Sequence, residues 1–431
     1  LESDATRPEH LTGYPMSAET AAALSELDLA ATSARAAAAS ATPPSRVLLL
    51  DRDGRAPDWR LEQWLRAHGA QVEVHDGRGY GALIDEPHRA VPPRATIALT
   101  LDWLSRGPQT VPGARRESGD LDPRLRVRHR GVELCETPLW LDGPRGRLFA
   151  VVTKPVDRRL QPLSLVLLGA GALPHAGPNR GWVQLARRWA ARGVATARID
   201  LADVGESDAD DRPAGGDAGF YHPSRDLEVK AVLDGLQRRE GHDAFVLGGL
   251  CSGAYVALRR ALVDDRVRGL LLVNLAAFLW TRELVAERGR RRALAGALPG
   301  RLHGSGAAAL DGELLRRGLA HARPDRAWRL LRRSAERAQR RGVTTALDTL
   351  RERDVDTLLL LGRSEGLLHQ LERQGFTRQL QRWPNVTLGR LPSEDHLLRA
   401  AGHQRCAGAA LDEALSRIVA RAGGAEIPGA G

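Results

Sequence analysis

The stretch DAFVLGGLCSGAYVALRRAL, residues 243–262, decides how this chain is read. Its first part is a short apolar run, its last part places apolar residues on one helical face, and the glycines between them mark a turn. When a strand turns at once into a helix, its backbone segments come so close that the residues two before and two after the apex must be small. Counting from Gly249 and Gly253 puts Cys251 at the apex. With Ser252 at the apex, the small positions would fall to Leu250 and Ala254, and leucine fits poorly there. The apex also sits at the mouth of a helix, whose partial positive charge favours a thiolate over a thiol.

On either side, from about residue 125 onward, β-like and helical runs alternate. VELCETPLWL and GRLFAVVTKP read as a leading hairpin, and LSLVLLGAG as a buried strand. GWVQLARRWAARG reads as an amphipathic helix closed by Gly193, followed by the strand VATARIDL and the helix SRDLEVKAVLDGLQRR. After the turn come the strand VRGLLLVNLA and, much later, VDTLLLLG. Such alternation predicts an α/β fold with a mostly parallel sheet and helices on both faces. Reactive groups on such sheets sit at the carboxyl ends of the strands. Between Trp280 and the strand VDTLLLLG runs an arginine-rich helical stretch, about residues 281–354, expected as a cap over the pocket.

A thiol at a helix mouth is still mostly protonated near neutrality, so a base is expected beside it. His396 in PSEDHLL, between the strand VTLGRL and the last helix, is the candidate, and Glu365 in LLLLGRSEGLL its orienting carboxylate, with Asp395 as the rival acid. Nucleophile, acid and histidine then occur in the chain order associated with this kind of turn. The loop LGAGALPHAGPNRGW offers backbone donors for a developing oxyanion, Gly171 and Ala172 being the candidates, with the N–H of Ser252 as the partner donor. IDLADVGES supports the pocket walls.

Taken together, LGAGALPHAGPNRGWVQLARRWAARG, DLADVGES, GLCSGA and EDHLL resemble the α/β-hydrolase superfamily, in particular its serine-aminopeptidase-like branch with the exosortase-associated hydrolases. The resemblance spans about residues 124–420. It implies a sheet of about eight strands, a helical cap, and a triad at Cys251, Glu365 and His396. Cysteine in the serine's place is similar to the dienelactone hydrolases. Glu365 stands where the family usually has aspartate, and Asp203 where its D-x-x-G-x-G-x-S loop has its first glycine.

Residues 1–106 repeat, in order, the closing third of that domain: VLLLDRD pairs with LLLLGRSE, and YGALIDEPHRA with LGRLPSEDHLL. His88 falls at the family's histidine position, and Asp53 or Asp58 at its acid position, but no Gly-x-Ser/Cys-x-Gly precedes them. The expectation is the C-terminal fragment of a first hydrolase domain from a tandem protein, lacking its N-terminal half, with a vestigial packing domain as the alternative. Residues 107–123 read as a linker and 421–431 as a tail.

Composition bounds the partners. The chain of 431 residues is 42% hydrophobic and 27% charged, as globular domains are. Its net charge of +10 rests on arginine, Lys154 and Lys230 being the only lysines, a bias that GC-rich coding produces. No nucleic-acid-binding module accompanies that charge, so nucleic acid is not an expected partner. Cys135, Cys251 and Cys406 are odd in number and lack C-x-x-C spacing, so neither disulfides nor a metal is expected. No apolar run is long enough for a membrane span, and a reducing cytoplasm is the expected setting. The reading is therefore a hydrolase of esters, thioesters or lactones, with a small-molecule acyl substrate, no cofactor and an acyl-cysteine intermediate. The alternatives are an acyltransferase and a noncatalytic binding scaffold.

Overall fold

The computed structural model describes residues 9–11, 14–16, 22–24, 26–28, 44–84, 91–107, 122–208, 217–280, 326–398 and 401–423. Of the expected features, His88, residues 281–325 of the cap stretch, residues 108–121 of the linker and residues 424–431 of the tail lie outside the described residues. The chain divides into two compact units, one mainly residues 15–121 and the other mainly 122–431.

The second unit is built on a nine-stranded sheet. In chain order its strands are β1 (Leu125–His129), β2 (Val132–Gly143), β3 (Gly146–Pro155), β4 (Ser164–Leu168), β5 (Thr196–Ile199), β6 (Phe245–Leu250), β7 (Val267–Val273), β8 (Asp356–Gly362) and β9 (Val386–Leu391). Across the sheet they lie in the order β1-β2-β3-β5-β4-β6-β7-β8-β9. β5 through β9 with β4 run parallel, while β1, β2 and β3 join antiparallel. Every residue of β4, β6 and β8 is buried, as expected of parallel strands covered on both faces.

The ninth strand, where about eight were expected, is β1. Its sequence LRVRH alternates polar and apolar residues and borders a linker-like segment, so no apolar run announced it. It pairs with β2 through a two-residue turn in which Arg130 and Gly131 both have positive φ, 48° and 79°. That twist suits a tight hairpin, and glycine adopts it without steric cost.

Helices cover both faces. α1 (Gly181–Ala190) and α6 (Ala401–Arg421) lie on one side, burying Trp182, Ala186, Trp189, Leu411, Leu415 and Ile418 in a single cluster. The Trp189 indole N–H donates to Asp412 at 2.6 Å and ties the two helices together. On the other side α2 (Ser224–Glu240), α3 (Ser252–Ala261) and α5 (Gly366–Arg373) join the larger cluster. So does α4 (Arg326–Glu352), which buries Val343, Ala346, Leu347 and Leu350 there. The end of the stretch expected as a cap is thus a core crossover helix between β7 and β8. Truncating one of its fully buried leucines would cost roughly 2–5 kcal/mol. This sheet order, with helices on both faces and a turn after β6, is the α/β-hydrolase fold.

The first unit is smaller. Strand Arg46–Leu50 pairs in parallel with Gln71–His75, and the helix Trp59–Ala67 connects them. Its core cluster holds Leu65, Ala70 and Val72, with Val47, Leu49, Leu61 and Trp64 packed against it.

Candidate active site

At the end of β6 the chain turns through Cys251, whose φ of 57° and ψ of −114° lie where few side-chain-bearing residues go. The neighbouring glycines explain how the turn is tolerated. A Cβ on Gly249 would meet the Gly253 carbonyl carbon at 2.4 Å, and one on Gly253 would meet the Gly169 carbonyl oxygen at 2.3 Å. Both obstacles are backbone, which has no rotamer by which to move away. Cys251 itself occupies the cap position of α3, whose first-turn N–H groups have no intrahelical partner. Its side chain is partly buried against the cluster beneath α1 and α6.

His396 comes from the loop after β9, and its Nδ1 lies 2.7 Å from Oε1 of Glu365. Glu365 stands at the start of α5, three residues after β8, and its carboxylate caps no backbone amide of that helix. The Cys251 side chain also acts on the ring. Burial alone disfavours the charged ring, but hydrogen bonds and charge attraction from Cys251 and Glu365 outweigh it and push the His396 pKa up to about 10. Asp395 is turned elsewhere: its Oδ1 accepts from the Leu397 N–H at 3.2 Å.

The loop after β4 reaches the same turn. Gly171, at φ 54°, donates its N–H to the Ser252 hydroxyl at 2.7 Å. Ser252 is 5% exposed, and its hydroxyl is engaged in holding the loop. Ala172 follows directly, and the Ser252 N–H belongs to the first turn of α3. Further along, the buried carboxylate of Asp200, at the end of β5, receives the N–H of Glu206 at 3.0 Å and faces the His175 ring at 2.8 Å. One carboxylate thus joins the loops that follow β4 and β5. In the second of these, Asp203 takes φ 65°, in the left-handed region that favours glycine, and its carboxylate pairs with Arg145 at 3.0 Å. Aspartate is among the few residues that enter this region at modest cost.

Two residues near the centre carried no motif. Asn274, fully buried just past β7 at φ 47°, accepts the Gly362 N–H at 2.8 Å and donates to the His396 carbonyl at 2.6 Å. It bridges the loops that carry the acid and the histidine. Tyr221, 7% exposed, brings its hydroxyl to 3.5 Å from Cys251 Sγ. A single polar residue after an apolar strand, NLAAF, is the only signal for Asn274 in the sequence. For Tyr221 there is none, because the chain between β5 and α2 has no regular pattern.

An apolar cavity of about 260 Å³ lies behind the His396 loop, lined by Trp182, Leu185, Leu250, Val273, Leu397 and Leu398 among others; neither Cys251 nor His396 lines it. Among the described residues no group of three or more His, Cys, Asp or Glu is placed to hold a metal ion. No helix among them is long and apolar enough to cross a membrane.

In the first unit, Asp53 accepts the N–H groups of Gly79 at 2.6 Å and Gly81 at 2.7 Å, and these bonds hold its carboxyl below the usual carboxylate range. Asp58 caps the helix Trp59–Ala67 and pairs with Arg60, which likewise lowers its carboxyl. Both candidate acids there are bound to backbone or arginine.

No family model matches the chain, and no curated protein does. Solved structures similar to it include an α/β serine hydrolase without lid, XC6422 from Xanthomonas campestris, at 19% identity, covering 69% of this chain and 97% of that one, with a TM-score of 0.37. An esterase from Pyrococcus furiosus, Pf2001, is 13% identical over 70% of this chain and 99% of its own, with a TM-score of 0.44. The carboxylesterase CesB of Bacillus subtilis is 16% identical over 64% and 90%, with a TM-score of 0.39. The fold assignment rests on the sheet order and the turn after β6.

Proposed function

We propose that the protein is a hydrolase of carboxylic esters, thioesters or lactones that works through an acyl-cysteine intermediate on Cys251. One observation carries the reading. A histidine bonded to a carboxylate at 2.7 Å also interacts with a cysteine held at the apex of a strained strand-to-helix turn. Strain of that kind persists where the surroundings over-determine it, and reactive turns are where it gathers.

In this reading His396 holds the Cys251 proton and Glu365 holds the ring. The thiolate attacks the acyl carbon, and the electron pair of the carbonyl moves onto oxygen. Gly171 being committed to Ser252, the N–H groups of Ala172 and Ser252 are the donors for that oxyanion. As the tetrahedral species collapses, the alcohol or thiol leaves with the proton from His396. Water, deprotonated by the same ring, then releases the acid and restores the cysteine. Sulfur expels alcohols and thiols more readily than amines, which favours esters over peptides.

The test is an aryl ester and thioester panel read by intact mass. An acyl adduct on the wild-type chain, absent from Cys251→Ala and retained in Ser252→Ala, supports the proposal. Labelling that survives in Cys251→Ala overturns the nucleophile. A folded protein with neither adduct nor turnover across the panel overturns the enzymatic reading in favour of a noncatalytic scaffold.

A further inference from the structure

Tyr221 follows the short helix Asp217–Phe220, in a part of the chain where no motif was read. Its ring lies face to face with Trp280, centroids 3.5 Å apart and planes within 4°, and meets Tyr255 edge-on at 5.3 Å. A phenol stacked on one ring, met edge-on by another and 7% exposed has its hydroxyl positioned by that packing. The hydroxyl lies 3.5 Å from Cys251 Sγ, within hydrogen-bonding range for sulfur. Among the described residues, the titratable groups that act on this sulfur include Tyr221, bonded to it, and His396, with Glu365 behind the histidine. Tyr255 flanks the Tyr221 ring.

Two protonation states of sulfur use this hydroxyl differently. A thiol is a weak donor and a weak acceptor, whereas a thiolate only accepts. Charge-assisted bonds are about twice as strong as neutral ones. A fixed phenolic O–H therefore gains more from the thiolate than from the thiol.

We propose that Tyr221 is a fourth catalytic side chain at the Cys251 site, its O–H donating a hydrogen bond to the thiolate and holding the nucleophile ionised before substrate arrives. This deepens the function proposed above and rests on it, because it requires Cys251 to act as a thiolate partnered by His396. It also gives the aromatic clamp of Trp280 and Tyr255 a purpose: both keep the donor aimed.

The experiment uses the whole chain and no substrate. Iodoacetamide alkylates only the thiolate, forming a carbon–sulfur bond as iodide leaves, so the pH dependence of labelling, read by intact mass and peptide mapping, reports ionisation of Cys251. Tyr221→Phe keeps the ring and the stack and removes one hydrogen-bond donor. The midpoint of its labelling curve is expected to move up by about one pH unit, with labelling at pH 6 slowed about tenfold. An unchanged midpoint in a folded variant overturns the proposal. His396→Ala separates the two levels. If it shifts the midpoint while Tyr221→Phe does not, the Tyr221 proposal fails and the triad stands; if His396→Ala does not shift it, the triad itself fails. Should Tyr221→Phe not fold, wild-type protein carrying 3-fluorotyrosine, a stronger donor, is expected to label with a lower midpoint, and an unchanged curve overturns the proposal.

Discussion

Each unit of this chain carries a parallel pair of strands with an acidic residue just past the first strand, and the two acids end differently. In the first unit, Asp53 follows the strand Arg46–Leu50 and turns to the loop after the neighbouring strand, where it binds the backbone N–H groups of Gly79 and Gly81. In the second, Glu365 follows β8 and turns to the loop after β9, where it binds the ring of His396. The same crossing is made in both, from one strand end to the loop of the next. What differs is the partner. A carboxylate bonded to two amides only fastens a loop, whereas one bonded to an imidazole fixes a tautomer and stabilises the charged ring. The comparison teaches that an acid's place after a strand does not make it catalytic; the group it meets decides.

The largest effect expected from breaking this comparison is on the ring. His396→Ala should lower acyl turnover by roughly 10³–10⁴-fold, measured with an aryl ester that the wild type hydrolyses. Glu365→Gln comes next, with a loss of roughly 10²–10⁴-fold and a change in pH profile. Because the folded pKa of His396 is raised to about 10, its charged form and the ion pair it makes are complete below the ordinary histidine range and are lost as pH rises through about 10. The wild-type rate should thus hold into alkaline solution and fall near that pH, and Glu365→Gln should bring the fall to lower pH. A fall near pH 7 in the wild type would contradict the pairing. The ring is 38% exposed, so solvent screening weakens its share of stability, and the profile of rate is the sharper measurement.

A smaller effect is expected at Asn274. Replacing it with alanine leaves the Gly362 N–H and the His396 carbonyl without their partner, at a cost of about 1–3 kcal/mol in urea unfolding. The smallest belongs to Asp53. Asp53→Asn should leave turnover unchanged. Since its carboxyl is held below the usual range, its contribution to stability is present above that range and is lost as pH falls through the lowered value. The unfolding midpoint of Asp53→Asn should accordingly differ from wild type slightly at pH 7 and not at strongly acidic pH. A loss of turnover in Asp53→Asn would mean that the two acids are not as different as their partners.

Much of the second unit could be read without coordinates. Strands such as LVLL and LLLLG are buried on both faces and therefore apolar throughout, and the turn at Cys251 is announced by glycines that no other residue could replace without a backbone clash. β1 escaped because an edge strand half-open to solvent needs no apolar run, only alternation that a linker can also show. The end of the arginine-rich stretch suggests a cap by its position just before the strand VDTLLLLG, while the four buried residues of α4 that join the core occupy one narrow stripe.

The sequence by itself determined the turn, its cysteine apex and the order of acid and histidine, because close backbone approach and strand burial restrict residue types locally. Only the tertiary structure decided the partners: that Glu365 rather than Asp395 faces His396, that the Ser252 hydroxyl takes the Gly171 N–H, and that Asn274 and Tyr221 belong to the site at all. Hydrogen bonds between loops of different strands join residues 30 to 122 positions apart in the chain, and nothing in local spacing records which side chain will meet which.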